Sequence, residues 1–155
     1  ENFMKNVFKI ILLAVAVFSF PISSLASVSN ESLIEKNYFQ FTIPKYQTSR
    51  QSGQTVNIYV RYAYKKNLSI NQYPDYRVLR TAVLKYMEPS EEFPAEVFWE
   101  ILAPAMGRDL MKDFPLDGVS IQLEVLDNQN PDSFEPGDHG PTYTVGDIEP
   151  LHVIH

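Results

Sequence analysis

The sequence contains no cysteine among its 155 residues. Thiol nucleophiles, cysteine-ligated metal sites and disulfide bonds are therefore excluded. Small domains that work outside the cytoplasm are often held together by disulfide bonds. This domain must instead be held by its hydrophobic core or by the association of several copies.

Basic residues are also scarce, with 13 Lys and Arg against 19 Asp and Glu and a net charge of −6 at pH 7. The lysines and arginines form no stripe along the sequence. Proteins that bind nucleic acids or anionic membrane surfaces need such a basic surface to neutralise phosphate groups. The composition therefore excludes nucleic acid as a partner and argues against binding to anionic membranes.

Long apolar runs are limited to one, at residues 10–20. Lys5 and Lys9 precede it, and small residues follow it at the spacing of a signal-peptidase cleavage site. A run of about ten residues is too short to cross a bilayer comfortably as a helix. The pattern predicts a secretory signal peptide at residues 4–26, with an uncleaved membrane anchor as the alternative. We therefore expect one exported domain, residues 27–155, periplasmic or secreted and without stable membrane insertion.

Alternation of apolar and polar residues marks the strands. Residues 55–64 alternate throughout, which is the strongest strand pattern in the sequence. Residues 38–43 are aromatic and β-branched, so they predict a preceding strand, joined to the next by a turn at Gly53. Residues 119–125 alternate in the same way, and residues 143–145 suggest a short fourth strand.

Helical spacing of apolar residues appears between the second and third strands. Asp75 is a suitable N-cap for a helix over residues 76–87. Pro94 is suited to the first turn of a second helix over residues 95–112. The element order ββααββ predicts an α+β fold, in which a four-stranded antiparallel sheet carries both helices on one face.

Three short segments carry a resemblance to a known family. The second helix contains Phe-Trp-Glu-Ile-Leu-Ala at residues 98–103, and Phe114-Pro115 follow about fourteen residues after the glutamate. The strand Gly118–Val125 comes next, and Asp75-Tyr76 opens the first helix. Together these segments resemble the dihydroneopterin aldolases of the tunnelling-fold superfamily, over roughly residues 38–126.

The resemblance implies a homo-oligomer, a tetramer or octamer, in which four sheets join into a barrel and ligand pockets lie between protomers. It implies that Glu100 binds the N–H edge of a pterin-like or purine-like ring and that Tyr76 lies beside that ring. A carboxylate can accept two parallel N–H bonds from such an edge. Trp99 is a third candidate ligand-binding residue. No cofactor is implied.

Each of these residues also has a structural alternative. Glu100 is equally suited to an exposed or salt-bridged position on a helix. Tyr76 and Trp99 are suited to packing, Trp99 in the core or between protomers. The small residues Ala103 and Gly107 follow Glu100 along the helix, and they leave room either for a ligand or for close helix packing.

The sequence departs from the aldolase pattern at two places used for proton transfer. The first hairpin turn, residues 47–53, has no acidic residue, and no lysine follows the third strand. We therefore expect an exported protein that binds a small heterocycle without aldolase activity. The alternatives are a structural or interaction subunit of an envelope or secreted assembly, and an exported aldolase or epimerase in which His139 or Tyr76 carries the proton.

Metal binding is not predicted. The three histidines, His139, His152 and His155, lie late in the chain, where they do not match the zinc-binding trio of the related pterin synthases. The acidic loop at residues 127–138 lacks the glycine and the terminal glutamate of a calcium-binding loop.

Overall fold

A computed structural model describes residues 35–126 and 137–153. The predicted signal peptide at residues 4–26 and most of the acidic loop lie outside the described residues. Within the described ranges, every helix is too short or too polar to cross a membrane.

Four antiparallel strands form one sheet in the order β1-β2-β3-β4. The strands are β1 (Tyr38–Thr48), β2 (Gln54–Tyr64), β3 (Leu116–Val125) and β4 (Thr142–Gly146), and the helices are α1 (Tyr76–Leu84) and α2 (Trp99–Asp113). Short 3₁₀ turns lie at Arg50–Ser52 and Ile70–Gln72. The predicted α+β fold with the order ββααββ is confirmed.

The alternation along β2 and β3 divides the sheet into two faces. Val56, Ile58, Val60 and Tyr62 pair with Val125, Leu123, Ile121 and Val119 and are buried in the core that the two helices cover. The residues between them point to the opposite face, where Tyr59 pairs with Gln122 and Arg61 pairs with Ser120. Because side chains alternate along a strand, the same pattern that predicted the strands also predicted which residues face the helices.

Helix α1 begins where the sequence predicts and ends one turn earlier. The Asp75 carboxylate accepts a hydrogen bond from the Arg77 N–H at 2.9 Å, which is the expected N-cap contact. After Leu84 the chain continues in tight turns that carry Met87 into the core. Met87, the last residue of the predicted helix, is therefore buried although it lies outside the helix.

Helix α2 begins at Trp99, four residues later than predicted. Pro94 does not start the helix, because the hairpin turn between β1 and β2 forms hydrogen bonds with the segment around it. The Arg50 guanidinium donates to the carbonyl oxygen of Pro94 at 2.7 Å, and the Gln51 N–H donates to that of Ala95 at 3.1 Å. Those carbonyl groups are thereby bonded to the turn, and the residue before the helix, Phe98, is extended.

The small residues of α2 allow close helix packing. A Cβ atom built on Gly107 would lie only 2.6 Å from two ring carbons of Tyr143 on β4. Ala103 is fully buried in the same core. Of the two possibilities left open by the sequence, these residues serve the packing of α2 against the sheet.

Candidate ligand-binding site

Glu100 is the second residue of α2 and its side chain is exposed. A negative charge in the first turn is stabilised by the positive end of the helix dipole. Its carboxylate makes no hydrogen bond or ion pair with any residue in the described part of the chain. The ring of Phe98 (67% exposed) and the side chain of Ile101 (52% exposed) flank it in sequence. The first turn of α2 therefore exposes a charged acceptor and two large apolar side chains.

Pro104 leaves the backbone of this turn incomplete. Proline has no N–H, so the i→i−4 hydrogen bond from residue 104 to the carbonyl oxygen of Glu100 is not made. The Glu100 carbonyl oxygen therefore lacks its usual partner in the helix.

Tyr76 is the first residue of α1, and its ring is 41% exposed. It stacks on Phe39 of β1, with ring centroids 5.4 Å apart and an angle of 21° between the planes. Phe41 also contacts the Tyr76 ring, with centroids 5.9 Å apart and an angle of 49° between the planes. Phe39 is itself partly exposed, and so is the nearby Tyr73. Tyr76 therefore belongs to an aromatic surface on the β1 side of the sheet.

Trp99 has the contacts of a core residue. Its side chain is 4% exposed, and its indole N–H donates to the carboxamide oxygen of Gln54 at 2.9 Å. These contacts correspond to the packing alternative. They fix the start of α2 against β2 and so orient the neighbouring Glu100. A direct contact between Trp99 and a ligand stays a prediction.

Arg50 is the residue of this region that the sequence did not single out. Its side chain is fully buried, and its guanidinium donates to four carbonyl oxygens of the segment between the helices: Tyr86 (2.7 Å), Glu88 (2.8 Å), Phe93 (3.1 Å) and Pro94 (2.7 Å). Burial lowers the pKa of Arg50, and the nearby Glu88 charge partly offsets that effect. The sequence gives no indication that Arg50 is buried, since a lone arginine in a polar turn is ordinarily solvated.

A second polar cluster lies on the sheet face opposite the helices. The Glu124 carboxylate is buried and accepts hydrogen bonds from the Tyr59 hydroxyl at 2.9 Å and the Asn57 carboxamide at 2.8 Å. Burial, followed by the bond to Glu124, raises the pKa of Tyr59. A cavity of about 320 Å³ beside this cluster is lined in part by Asp138 and His139.

The two groups of candidate residues lie on different sides of the sheet. His139 extends the β3–β4 ladder by a bridge to Val125 and lines the cavity beside Glu124, whereas Glu100 lies on α2 on the helical side. His152 is exposed, and His155 lies outside the described residues. In residues 35–126 and 137–153, no three His, Asp or Glu side chains are grouped so that they could hold a metal ion.

No protein-family model and no curated protein matches the sequence. Solved structures do match. The dihydroneopterin aldolase of Burkholderia thailendensis bound to guanine has a TM-score of 0.51 at 13% identity, over 72% of this chain and 93% of that one. The chain has the dihydroneopterin aldolase fold.

Two further structures support this assignment. A putative dihydroneopterin aldolase from Vibrio cholerae has a TM-score of 0.51 at 16% identity, covering 70% of this chain and 97% of that one. The E. coli dihydroneopterin aldolase in complex with neopterin has the same TM-score at 12% identity, covering 73% and 100%. The resemblance inferred from three short segments is thus confirmed at the level of the fold.

The first departure from the aldolase pattern has a structural counterpart. The β1–β2 turn of this chain has no acidic residue. It contains Arg50, which is buried and donates hydrogen bonds to the segment between the helices. The place of the missing lysine, after β3, lies beyond Leu126 and outside the described residues.

Proposed function

We propose that this protein is exported and binds a pterin-like or other small heterocycle at an interface between copies of the chain, without aldolase activity. The observation that carries the proposal is the Glu100 carboxylate, exposed at the start of α2 in a chain with the dihydroneopterin aldolase fold.

The chemistry of this position favours a flat heterocycle with two adjacent N–H donors. A carboxylate accepts two parallel hydrogen bonds from a 2-amino-4-oxopyrimidine edge, and its charge strengthens both. Phe98 and Ile101 offer apolar area for the rest of the ring system. Two proteins with this fold have been solved with such molecules, guanine in one and neopterin in the other.

An interface between copies explains why both halves of the candidate site are exposed in a single chain. Phe98 and Ile101 beside Glu100, and Phe39 and Tyr76 beside the start of α1, are large apolar side chains that a folded monomer ordinarily covers. Among the described residues the sheet ends in two edge strands, β1 and β4, with no described strand on their outer sides. Association through these surfaces would bury the aromatic groups and enclose the carboxylate.

We expect no aldolase activity because the sequence lacks two groups that the aldolases use for proton transfer. Cleavage of a carbon–carbon bond needs groups that move protons to and from carbon and oxygen. The turn that would carry one of these groups holds Arg50, whose donors are occupied by backbone carbonyl groups. We expect no turnover of dihydroneopterin by the purified protein, and measurable turnover would contradict this part of the proposal.

The exposed aromatic surface also supports a second candidate, a structural or interaction subunit of an envelope or secreted assembly. Phe39 and Tyr76 stack on each other and both are more than a third exposed, as is Tyr73. Such a subunit would keep the association surfaces without binding a heterocycle. Recovery of a stable complex from an envelope fraction, in which Glu100 has no role, would favour this candidate.

Calorimetry with neopterin and with guanine tests the binding proposal. We expect Glu100→Ala to abolish or weaken binding by about tenfold or more, because a charge-assisted pair of hydrogen bonds is lost. Glu96→Ala is the matched control, since Glu96 is an exposed glutamate just before the helix. Equal affinity of the two variants, or no binding by the unaltered protein, would refute the proposal.

Export and association have separate tests. The N-terminus of the protein recovered from the cell envelope or medium should start at Ser27 if residues 4–26 are a cleaved signal peptide. Light scattering should give a mass at least four times that of one chain. A monomer in solution would contradict the shared site.

A further inference from the structure

The β1–β2 turn contains two residues in an uncommon backbone conformation. Gln51 has a φ of 48° and a ψ of 47°, and Ser52 has a φ of 67°, so both lie in the left-handed region. Residues other than glycine stay in that region only where the surrounding contacts compensate for its cost, and such positions cluster at functional sites. The contacts of Gln51 therefore indicate what this conformation serves.

Gln51 binds the segment that leads into α2 with its backbone and with its side chain. Its N–H donates to the carbonyl oxygen of Ala95 at 3.1 Å, and its carboxamide nitrogen donates to that of Val97 at 3.3 Å. The preceding residue, Arg50, donates to the carbonyl oxygen of Pro94 at 2.7 Å. In its left-handed conformation Gln51 thus directs both its backbone and its side-chain donor to residues just before the helix.

The bonds from the hairpin continue to the first residue of the helix. The Trp99 indole N–H donates to the Gln54 carboxamide oxygen, at the start of β2, at 2.9 Å. Phe98, whose carbonyl oxygen accepts hydrogen bonds from the first helical turn, lies between two residues that are bonded to the hairpin. Glu100 belongs to that first turn, so the hairpin determines where its carboxylate lies.

We propose that Gln51 is a positioning residue for the Glu100 carboxylate. It holds the first turn of α2 so that both carboxylate oxygens meet the two N–H groups of a heterocycle together. This inference rests on the proposed function, because it concerns the same binding site. A pair of parallel hydrogen bonds depends on angle as well as distance, and binding groups must be held within about 0.5 Å and 10–20° of the productive geometry. Loosening the segment before the helix should therefore weaken binding while the charge of Glu100 is kept.

A substitution at Gln51 separates positioning from folding. Gln51 is partly buried and bonds to the last residues before α2, whereas Arg50 is fully buried and binds four carbonyl groups of the segment between the helices. Gln51→Gly removes the carboxamide and adopts the left-handed conformation without strain. Its stability toward urea should stay close to that of the unaltered protein, while its affinity for a heterocycle should fall. A residue with a structural role alone would not change affinity in a protein of unchanged stability.

Calorimetry with neopterin and with guanine tests the inference on the full chain. A positioning contact raises affinity by no more than its own free energy, so we expect Gln51→Gly to bind about three- to tenfold more weakly, the equivalent of one ordinary hydrogen bond. Gln47→Ala is the matched control and should keep its affinity, because the Gln47 carboxamide binds Thr55 at 2.8 Å within the same hairpin. Glu100-dependent binding with equal affinities of Gln51→Gly and Gln47→Ala would overturn this inference and leave the proposed function standing. No binding by the unaltered protein would overturn both.

A measurement without ligand comes from Trp99, the only tryptophan of the chain. Its indole is buried and bonded to the hairpin, next to Glu100. Loosening the segment before α2 should make the indole more accessible, so acrylamide should quench its fluorescence more strongly in Gln51→Gly than in Gln47→Ala. Gln51→Asn provides a second variant, because asparagine tolerates the left-handed conformation and its carboxamide is one methylene group too short for the bond to Val97. Equal quenching of Gln51→Gly, Gln51→Asn and Gln47→Ala would overturn the inference whatever the result with heterocycles.

Discussion

Gly107 and Tyr143 lie so close together that the helix and the fourth strand leave no room for a methyl group between them. A Cβ atom on residue 107 would stand 2.6 Å from the Cδ1 and Cε1 atoms of the tyrosine ring. Glycine is ordinarily unfavourable inside a helix, by roughly 1 kcal/mol relative to alanine. Its presence here lets α2 pack directly on β4.

Gly107→Ala should therefore destabilise the protein despite the better helix propensity of alanine. We expect a net loss of about 1 kcal/mol in the free energy of unfolding, since overpacking costs roughly 1–3 kcal/mol. Chemical denaturation measures the change. In a Tyr143→Ala background the clash is absent, so the same substitution should become stabilising. A loss of the same size in both backgrounds would contradict this account.

Arg50→Met should destabilise the fold strongly. The substitution removes a donor from four carbonyl oxygens of the segment between the helices. Two of them, those of Phe93 and Pro94, also accept from backbone N–H groups, so two are left without the donor that they have here, and each buried unsatisfied group costs roughly 1–3 kcal/mol before relaxation. We expect a loss of about 2–4 kcal/mol, measured by urea denaturation. Arg77→Met, at an exposed arginine of α1, is the control and should change the stability far less, because an exposed ion pair contributes little. Similar losses of stability in both variants would show that the bonds from Arg50 to the segment between the helices do not stabilise the fold.

Two buried tyrosines should respond in opposite directions to removal of the hydroxyl group. The Tyr59 hydroxyl donates to the buried Glu124 carboxylate, so Tyr59→Phe should cost about 1–2 kcal/mol. The Tyr62 hydroxyl is buried and has no hydrogen-bond partner among the described residues. Tyr62→Phe should accordingly be neutral or stabilise the protein by up to about 1 kcal/mol. Thermal and chemical denaturation of both variants measure these changes. A loss of stability of similar size in both variants would contradict the prediction.

Stability should fall as the pH rises above about 10, the ordinary pKa of tyrosine. Burial raises the pKa of Tyr46, Tyr59, Tyr62 and Tyr86, most strongly for Tyr62 and Tyr86. Above pH 10 the unfolded chain therefore loses protons that the folded chain retains. Each such group lowers the free energy of unfolding by about 1.4 kcal/mol per pH unit until it ionises in the folded state as well.

Denaturation at pH 9, 10 and 11 measures this dependence. Tyr62→Phe should have a shallower slope than the unaltered protein by about the contribution of one group. A flat profile over this range, or an identical slope in the variant, would contradict the assignment of the slope to buried phenols.

The sequence determined the elements and their order because local patterns specify them. Alternation along β2 and β3 identified the strands and the face that each residue occupies. Asp75 identified the start of α1, since its carboxylate accepts a hydrogen bond from the N–H of Arg77, only two residues away. The residues around Glu100 and the Phe114-Pro115 pair carry the resemblance to the dihydroneopterin aldolases, which the solved structures confirm at the level of the fold.

Only the tertiary structure decided the features that join residues far apart in the chain. Arg50 moves the start of α2 to Trp99 by binding carbonyl groups more than 35 residues away. The Gln122 side chain binds the backbone of Val153, 31 positions later, in a tail that has no periodicity to indicate an element. These contacts join side chains to backbone atoms that every residue possesses, so the identity of the partner residue leaves no trace in the sequence.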